Sequence, residues 1–476
     1  MRTWQLTVQL VDDGQLPVFR QIAASILADI ERGRLRPGER LPSSRALCSQ
    51  LSVNRNTVLA AYEELFARGV IRCEPAKGTF VSGEPVREHR FAERAGFDLP
   101  APTVPDLPAR RASELLVLLG GVPELRFLPH VQLARAYRSA LEGAVGGRLV
   151  DYADPQGDHR LRVALGDLLA RARGIPAGPE AICVTRGSQG GLYLAARALL
   201  RPGDIVAVEE YGFEPAWQAL RLNGVELRPM PVDQDGLDVD ALEQLCSTHL
   251  VRAVYLTPHH QYPTTVTLSA ERRRRLMQLA ARHRIIIFED DYDYDFHYDG
   301  RPVLPLASFD PSGVVIYFGT MSKSLAPGLR LGYMVAPPDV IQRVAAYRMY
   351  VDRQGDHVLE RAVATLLEDG LIQQHTRHAL RAYRRRRDAL CEALGRHLPQ
   401  LEIRPPSGGM ALWVRAPGID VEAWARRSLA AGVAFQGARR FTFDGAEREY
   451  ARMGFAACNE SELDEAARRL ATTLHH

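Results

Sequence analysis

The sequence has 476 residues, which is too long for one ordinary hydrophobic core, so two or three domains are expected. Apolar residues make up 46% and charged residues 25%, values typical of a soluble globular protein, and no segment approaches the roughly 18 consecutive apolar residues that a membrane-spanning helix needs. Because the first residues also lack the apolar segment of a signal peptide, we expect a cytoplasmic protein with no membrane partner.

Charge and cysteine usage narrow the class further. Residues 1–83 contain 11 Arg or Lys and 8 Asp or Glu, so they carry the whole net charge of +3, and the remaining residues contain 49 of each sign. This surplus is a mild indication of a polyanionic partner for the amino-terminal segment. The six cysteines are far apart and form no Cys-x-x-Cys pair, so we expect reduced cysteines and no metal site.

The first 83 residues predict three helices and a β-hairpin. Apolar residues recur at helical spacing from Phe19 to Ile30, and a second set, with Val58, Tyr62 and Leu65, faces inward from the third helix. Gly33 and Gly69 end the first and third helices. We predict helices at about 16–33, 43–51 and 52–69 and strands at 70–73 and 79–81. This order is that of a winged helix-turn-helix, mainly α with a β wing.

Polar residues at the start of the third helix indicate that this domain binds double-stranded DNA. Short polar side chains there can reach base edges in the major groove, while the apolar residues are kept for the core. A basic residue on the second helix and another at the wing tip can contact phosphates. The alternative is a small helical domain whose polar turn only caps a helix. The candidate DNA-binding residues are Arg45, Asn54, Arg55, Asn56, Thr57 and Lys77.

Residues 84–118 are predicted to be a flexible linker. Five prolines lie between positions 85 and 108 among arginine, glutamate and small residues, and no apolar period runs through this segment. A linker of this length allows the first domain (1–83) to be repositioned relative to the body that follows (119–476).

From residue 150 onward, apolar strands alternate with helical patterns. This alternation predicts an α/β body with a mostly parallel sheet covered on both faces, over about residues 150–345. Residues from about 346 to 476 predict a smaller α+β domain. The predicted sheet strands are Ala181–Val184, Ile205–Val208, Ala253–Leu256, Ile285–Phe288 and Val314–Tyr317.

The lysine content singles out Lys323. Of the 60 basic residues only Lys77 and Lys323 are lysines, so a position that needs only positive charge would be expected to hold arginine. A buried amine can lose its proton and condense with an aldehyde, which a guanidinium cannot do. Lys323 follows the strand at 314–317, and parallel sheets bind ligands at the carboxyl ends of their strands. We therefore predict that Lys323 is a catalytic amine.

The residues around Lys323 and one glycine-rich turn predict a phosphate site. Arg330, seven residues after the lysine, can grip a phosphate together with the hydroxyls of Thr320 and Ser322. Ser188 and Gln189 follow a strand and open a helix, whose amino terminus favours anions. The implied ligand carries an aldehyde and a phosphate, and pyridoxal 5′-phosphate (PLP) fits this description. A basic loop after a core strand is the alternative.

Gly-Thr-x-Ser-Lys323 followed by an arginine resembles the cofactor lysine of fold-type I aminotransferases, and residues 1–83 resemble the GntR class of bacterial repressors. Together, across nearly the whole chain, they resemble the MocR subfamily of GntR-type regulators. Its fold would be a winged helix-turn-helix joined to an aminotransferase-like body. One departure is Thr264-Thr265, where the family usually has Thr-Gly after His260-Gln-Tyr-Pro263.

The resemblance also implies roles for single residues. In Glu289-Asp-Asp-Tyr292, Asp290 would face the pyridine nitrogen of PLP and Tyr292 its 3′ oxygen. Phe213 would stack on the ring, with a core phenylalanine as the alternative. Tyr152 would cross to the phosphate of a partner subunit, which implies a homodimer. Arg452 would pair with the carboxylate of a small amino-compound effector, with a structural salt bridge as the alternative.

The implied function is a PLP-dependent transcriptional regulator. An amino compound, or PLP itself, would be sensed through a Schiff base on Lys323 and would change promoter binding. The sequence leaves open an active PLP-dependent aminotransferase with an auxiliary DNA-binding domain, because Lys323, Asp290 and Arg452 serve transamination equally well.

Overall fold

The computed structural model describes residues 10, 16–83, 95–98, 115–144 and 148–474. The chain divides into two compact units, Met1–Pro105 and Asp106–His476. Most of the predicted linker, with its five prolines, lies outside the described residues. Within the described ranges there is no helix with the length and apolar character that crossing a membrane requires.

The amino-terminal unit has the predicted three helices and wing. They are α1 (Val18–Glu31), α2 (Ser44–Leu51), α3 (Arg55–Ala67), β1 (Ile71–Glu74) and β2 (Gly78–Val81), and the two strands pair antiparallel. Ile22, Ile26, Val58 and Leu65 are fully buried in one core. The Ser43 hydroxyl accepts from the Ala46 N–H at 3.2 Å and caps α2. The winged helix-turn-helix prediction is confirmed.

The second unit continues the chain with eleven more α-helices and fifteen more strands among its described residues. The helices are α4 (His130–Ala144), α5 (His159–Arg173), α6 (Gly187–Leu199), α7 (Glu214–Arg221), α8 (Val239–Thr248), α9 (Ala270–His283), α10 (Pro338–Val351), α11 (His357–Glu368), α12 (Leu371–His397), α13 (Val421–Ala430) and α14 (Glu460–Thr472). The strands are β3 (Leu116–Val117), β4 (Ile182–Thr185), β5 (Ile205–Glu209), β6 (Glu226–Met230), β7 (Val232–Asp233), β8 (Gly236–Leu237), β9 (Val251–Leu256), β10 (Ile286–Asp291), β11 (Val315–Thr320), β12 (Gly332–Val335), β13 (Glu402–Ile403), β14 (Ala411–Arg415), β15 (Val433–Ala434), β16 (Gln436–Gly437) and β17 (Tyr450–Gly454).

Seven strands form the large sheet, in the order β4-β12-β11-β10-β9-β5-β6. All are parallel except β12, which is antiparallel to both neighbours. The connection from β11 to β12 is too short for the crossover that a parallel pair needs. The neighbours Ile287 and Phe288 on β10 belong to different core clusters, as expected for alternate side chains of a strand covered on both faces. The mostly parallel α/β prediction is confirmed.

The smaller part contains the antiparallel sheet β13-β14-β17-β16, packed with α12, α13 and α14. The small part begins later in the chain than the boundary expected between residues 345 and 346. Helix α10 packs on the large sheet through Ile341 and Val344, and α11 does so through Ala362 and Val363, so both belong to the large part.

The body also begins before residue 119. Strand β3 pairs parallel with β15, with Leu116 opposite Val433, and Leu118 is fully buried in the core of the small part. The predicted linker therefore ends before Leu116, where the apolar run Leu115-Leu-Val-Leu-Leu119 supplies a strand that pairs with β15.

Candidate functional site

Lys323 lines a pocket with an empty volume of about 640 Å³, at the carboxyl ends of the parallel strands. Its Nζ donates a hydrogen bond to the Gly121 carbonyl oxygen at 2.6 Å. Burial, assisted by the positive charge of Arg452, lowers the pKa of Lys323 to about 8. The side chain is therefore an amine that is partly uncharged near neutral pH.

The structure brings most of the predicted cofactor residues into this Lys323 pocket. Those that line it are Ser188, Gln189, Phe213, Asp290, Tyr292, Thr320, Ser322, Lys323 and Arg330. They come from the ends of different strands and from the start of α6, which the parallel topology places at one edge of the sheet.

Asp290 lies near the end of β10 with a carboxylate that is only half satisfied. The Tyr255 hydroxyl donates to Oδ2 at 2.9 Å, and Oδ1 is buried without a hydrogen-bond partner among the described residues. Burial raises the pKa of Asp290 to about 7. A ring nitrogen that carries a proton would satisfy Oδ1 and would favour the charged form of the carboxylate.

Another side of the pocket is built for an anion. Helix α6 begins at Gly187, and no described side chain caps its first turn. The backbone N–H groups of that turn are therefore available to a ligand in the pocket, which Gly187, Ser188 and Gln189 line. Gly187 has φ of +73°, and its missing side chain leaves room for Arg330, because a methyl group there would lie 3.0 Å from Nη2 of that arginine. Thr320 Oγ1 donates to Ser322 Oγ at 2.9 Å. A guanidinium, two hydroxyls and a helix amino terminus suit a phosphate group.

Two aromatic residues complete the walls. The Tyr292 hydroxyl donates to the His260 carbonyl oxygen at 3.0 Å, so the bond it makes here is to the backbone. Phe213 lies edge-on to the Tyr262 ring, with the ring centroids 5.4 Å apart. Phe213 is only partly buried and lines the pocket, so it is not simply a core residue.

Arg452, on β17, is 1% exposed and makes no salt bridge with any carboxylate in the described ranges. Its Nη1 donates to the Pro263 carbonyl oxygen at 3.0 Å, its guanidinium carbon lies 4.1 Å from the Tyr262 ring centroid, and its Nε has no partner. A structural salt bridge therefore does not explain this residue. A buried cation without a counter-ion is costly unless an anion reaches it.

Tyr152 is not part of the pocket in a single chain. Its side chain is 74% exposed and stacks under the guanidinium of Arg353, whose carbon lies 3.8 Å from the ring centroid.

The predicted DNA-binding residues lie on the exposed side of the amino-terminal unit. Arg45, Arg55 and Asn56 are exposed, and Thr57 is partly exposed. Asn54 has a structural task, because its Oδ1 accepts from the Asn56 N–H at 2.9 Å and caps α3.

Lys77 is exposed in the turn of the wing, where its Nζ lies 3.5 Å from a carboxylate oxygen of Glu74. An exposed pair of this kind is weak, so the lysine can exchange this partner for a phosphate.

Tyr255 and Thr257 also line the pocket and were not anticipated, and Tyr262 was noted only as part of the His260-Gln-Tyr-Pro263 motif. Tyr255 stands in a mostly aliphatic strand, and a buried tyrosine hydroxyl needs a partner, so the sequence contained a signal for it. The Gly121 carbonyl gave no such signal, because it reaches the lysine only through the fold.

The residues of the Lys323 pocket fit PLP. The amine of Lys323 suits its aldehyde, the unpartnered Oδ1 of Asp290 suits its ring nitrogen, and the start of α6 with Arg330 suits its phosphate. Two features support this fit: the set of hydrogen-bonding groups in the pocket and the buried Oδ1 of Asp290, which has no partner among the described residues.

Two family models match the chain. The model described as aminotransferase class I and II covers residues 122–470, and the model described as bacterial regulatory proteins, gntR family, covers residues 19–81.

Relatives along the full length are regulators. The chain is 31% identical to the probable rhizopine catabolism regulatory protein MocR of Rhizobium meliloti, over 95% of this chain and 93% of that protein. It is 32% identical to the HTH-type transcriptional regulator TauR of Rhodobacter capsulatus, over 98% of both chains.

Among solved structures, the body is similar to LysN, an α-aminoadipate aminotransferase of Thermus thermophilus complexed with N-(5′-phosphopyridoxyl)-L-leucine. The identity is 28% and the TM-score 0.71, and the match covers 76% of this chain. The corresponding coverage of LysN is 92%.

Proposed function

The chain belongs to the MocR subfamily of GntR-type transcriptional regulators, which are PLP-dependent, and we propose that it senses a small amino compound at Lys323 and changes its binding to promoter DNA in response. The observation that carries this proposal is the position of Arg452, a buried guanidinium near the lysine that has no carboxylate partner among the described residues. The amine and the anion of one ligand can meet these two cations.

The residues of the pocket have separate tasks in holding PLP. Lys323 would attach it covalently, Asp290 would accept from its ring nitrogen, and Phe213 would cover the ring. Tyr292 could turn its hydroxyl from the His260 carbonyl toward the 3′ oxygen. When bound, PLP would supply an aldehyde that condenses with amines. The residues that would hold its phosphate are Ser188, Gln189, Thr320, Ser322 and Arg330.

Lys323 is suited to this exchange because it does not remain fully charged. With a pKa of about 8, roughly a tenth of the side chain is the free amine at pH 7, compared with less than about a thousandth for an ordinary lysine. Once an effector amine displaces it, the lysine can take up a proton and donate again to the Gly121 carbonyl.

Arg452 would select ligands that carry an anion. It stands on the small part, whereas Lys323 stands on the large part. A ligand that binds both would favour one arrangement of the two parts, and it can shift the equilibrium only by its difference in affinity between them. We propose that this shift biases how the DNA-binding domain is presented, with Arg45, Asn54, Arg55, Asn56, Thr57 and Lys77 as its contacts.

We further propose a cytoplasmic homodimer. Tyr152 is 74% and Tyr350 94% exposed, and a partner subunit would remove both rings from solvent. In a dimer, Tyr152 would reach the phosphate in the partner subunit.

The test combines an absorbance titration with DNA binding. Holo-protein is titrated with a panel of amino acids and amines, and its affinity for the DNA upstream of its own gene is measured in parallel. A ligand that changes the cofactor spectrum and the DNA affinity without turnover supports the proposal. The variant Arg452→Gln should lose the response to carboxylated ligands, and Arg404→Gln, at an exposed position of the small part, should keep it.

Sustained turnover with an amino donor and a 2-oxo acid, with unchanged DNA affinity, would instead support an aminotransferase.

A further inference from the structure

Three histidines meet behind the Lys323 pocket, where the large and small parts join. His259 and His260 follow β9, and His297 lies beyond β10 in a segment that packs into the core of the small part. One ring nitrogen of each histidine lies within 4.8 Å of one from each of the others. The mechanism proposed above does not use these imidazoles.

Two of these nitrogens already have the separation that a tetrahedral metal ion needs. His260 Nε2 and His297 Nδ1 are 3.4 Å apart. With metal–nitrogen bonds of about 2.0–2.1 Å, two ligands of a tetrahedral ion are about 3.3–3.4 Å apart. His259 would have to move inward to complete the set.

The third histidine makes ring contacts but no side-chain hydrogen bond within the described part of the chain. His259 is 4% exposed, and neither of its ring nitrogens has a partner there. Its ring centroid is 4.2 Å from that of His260 and 5.7 Å from that of His297. A buried polar group that forgoes both hydrogen bonds is destabilising, and this cost is removed if a ligand satisfies it.

The environment of His260 is that of a metal-bound imidazole. Its Nδ1 lies 2.8 Å from Oδ1 of Asp293, which is itself buried. In the tautomer with the proton on Nδ1, the Nε2 lone pair of His260 faces Nδ1 of His297, in a hydrogen-bond contact that a metal ion would replace. Carboxylate–histidine–metal arrangements of this kind fix the tautomer and strengthen the ligand.

The cations Arg173 and Arg273 act on His259 and would oppose a metal ion there. The buried carboxylate of Asp293, in contact with His260, is a group of opposite sign beside the three histidines.

We propose that His259, His260 and His297 bind one divalent transition-metal ion, Zn²⁺ by preference, with a water molecule as the fourth ligand. Three neutral imidazoles suit Zn²⁺ better than Mg²⁺ or Ca²⁺, which prefer oxygen ligands. The ion would tie the loop after β9 to the segment that enters the small part. It would thereby restrain the joint that effector binding is proposed to move.

This site has no spacing signal in the sequence. His259 and His260 are adjacent, and His297 is 37 positions beyond His260. They meet because β9 and β10 are neighbouring parallel strands, so the loops that leave their carboxyl ends come together.

The test measures Zn²⁺ binding to chelator-treated, full-length holo-protein without an affinity tag. Competition with a fluorescent chelator should give one tightly bound Zn²⁺ per chain, and Mg²⁺ should not compete. Zinc-edge X-ray absorption should show nitrogen at about 2.0–2.1 Å and no sulfur at about 2.3 Å. The sulfur distance matters because the chain has six cysteines that do not form disulfides.

Variants separate this site from weak surface binding. His297→Gln, at a partly exposed position, should weaken Zn²⁺ affinity by more than about a hundredfold, and Asp293→Asn by about 10- to 100-fold. His283→Gln removes an exposed histidine of α9 and should leave the affinity unchanged. Circular dichroism of each variant checks that it is folded.

The proposal is overturned if Zn²⁺ binding is absent at micromolar concentration, if His297→Gln binds as tightly as the original chain, or if sulfur ligands appear in the absorption spectrum.

Discussion

The hydroxyl of Tyr255 donates to Oδ2 of Asp290 at 2.9 Å, while Oδ1 of the same carboxylate is buried with no hydrogen-bond partner among the described residues. One oxygen is thus oriented by the protein, and the other is left for a ligand of the Lys323 pocket, which both residues line. The two residues meet because β9 and β10 are adjacent parallel strands.

Asp290→Asn should weaken binding of 4-deoxypyridoxine 5′-phosphate, an analogue without the aldehyde, by about ten- to a hundredfold. The variant replaces a charge-assisted hydrogen bond, worth about 1.5–3 kcal/mol, by a neutral contact. Isothermal titration calorimetry measures the effect without any contribution from Lys323 chemistry. Asp299→Asn, at an exposed carboxylate beyond β10, is the control and should bind normally. Equal binding by the Asp290 variant would contradict the role proposed for it.

The same carboxylate should make analogue binding pH-dependent. The pKa of Asp290 is raised to about 7 in the free pocket, so the group is mostly protonated at pH 6 and mostly ionised at pH 8. Only the ionised form pairs with a protonated ring nitrogen, so affinity should rise with pH across this range. The phosphate titrates near pH 6 and contributes in the same direction. In the Asp290→Asn variant, only the smaller increase in affinity with pH that comes from the phosphate should remain.

Lys323 should control how fast the apo-protein takes up PLP. With a pKa of about 8, the free amine increases about tenfold per pH unit below pH 8 and then levels off. Stopped-flow absorbance should show the rate following this curve, whereas an ordinary lysine would give a rise that continues beyond pH 9. Lys323→Ala should lose the visible absorbance of the attached cofactor at every pH. Unchanged absorbance would exclude this lysine as the attachment site.

The sequence predicted the parts of this site that depend on residue type and on the ends of strands. The scarcity of lysine identified Lys323, and the parallel strands explained why it meets Asp290. The antiparallel strand β12 was not predicted, because four residues after a turn carry too little periodicity. Edge strand β6 was missed because its side chains are largely polar or only partly buried. Contacts made through the backbone, such as that of Gly121, have no sequence signal.

Arg55→Ala should weaken DNA binding and reduce its salt dependence. A contact between an arginine and a phosphate releases about one counterion, so the slope of log K against log salt should fall by about 0.9 if Arg55 makes one. Arg68→Ala, at the far end of α3 and paired with Glu64, is the matched control of equal charge. Fluorescence anisotropy at several salt concentrations measures both slopes. If both variants lose affinity equally, the effect is one of net charge and not of this contact.

Thr265 adopts φ of +66° in the loop beside Arg452, at the position where the family usually has glycine. A β-branched residue in the left-handed region is strained by about 1–3 kcal/mol, although its hydroxyl is 2.6 Å from the Thr264 carbonyl oxygen and offsets part of this. Thr265→Gly removes the strain but loses that bond and makes the unfolded chain more flexible, at about 0.5–1 kcal/mol.

We expect the strain to dominate, so Thr265→Gly should raise the thermal midpoint of the body by about 1–2 °C in differential scanning fluorimetry. The neighbouring Thr264 is the control. It has no positive φ, and its hydroxyl donates to Oε1 of Gln261 at 2.6 Å. Thr264→Gly should therefore lower the midpoint, because it removes a hydrogen bond and relieves nothing. Equal destabilisation by both variants would show that the threonine at 265 is unstrained, and that this loop holds the carbonyl of Pro263 against Arg452 without conformational cost.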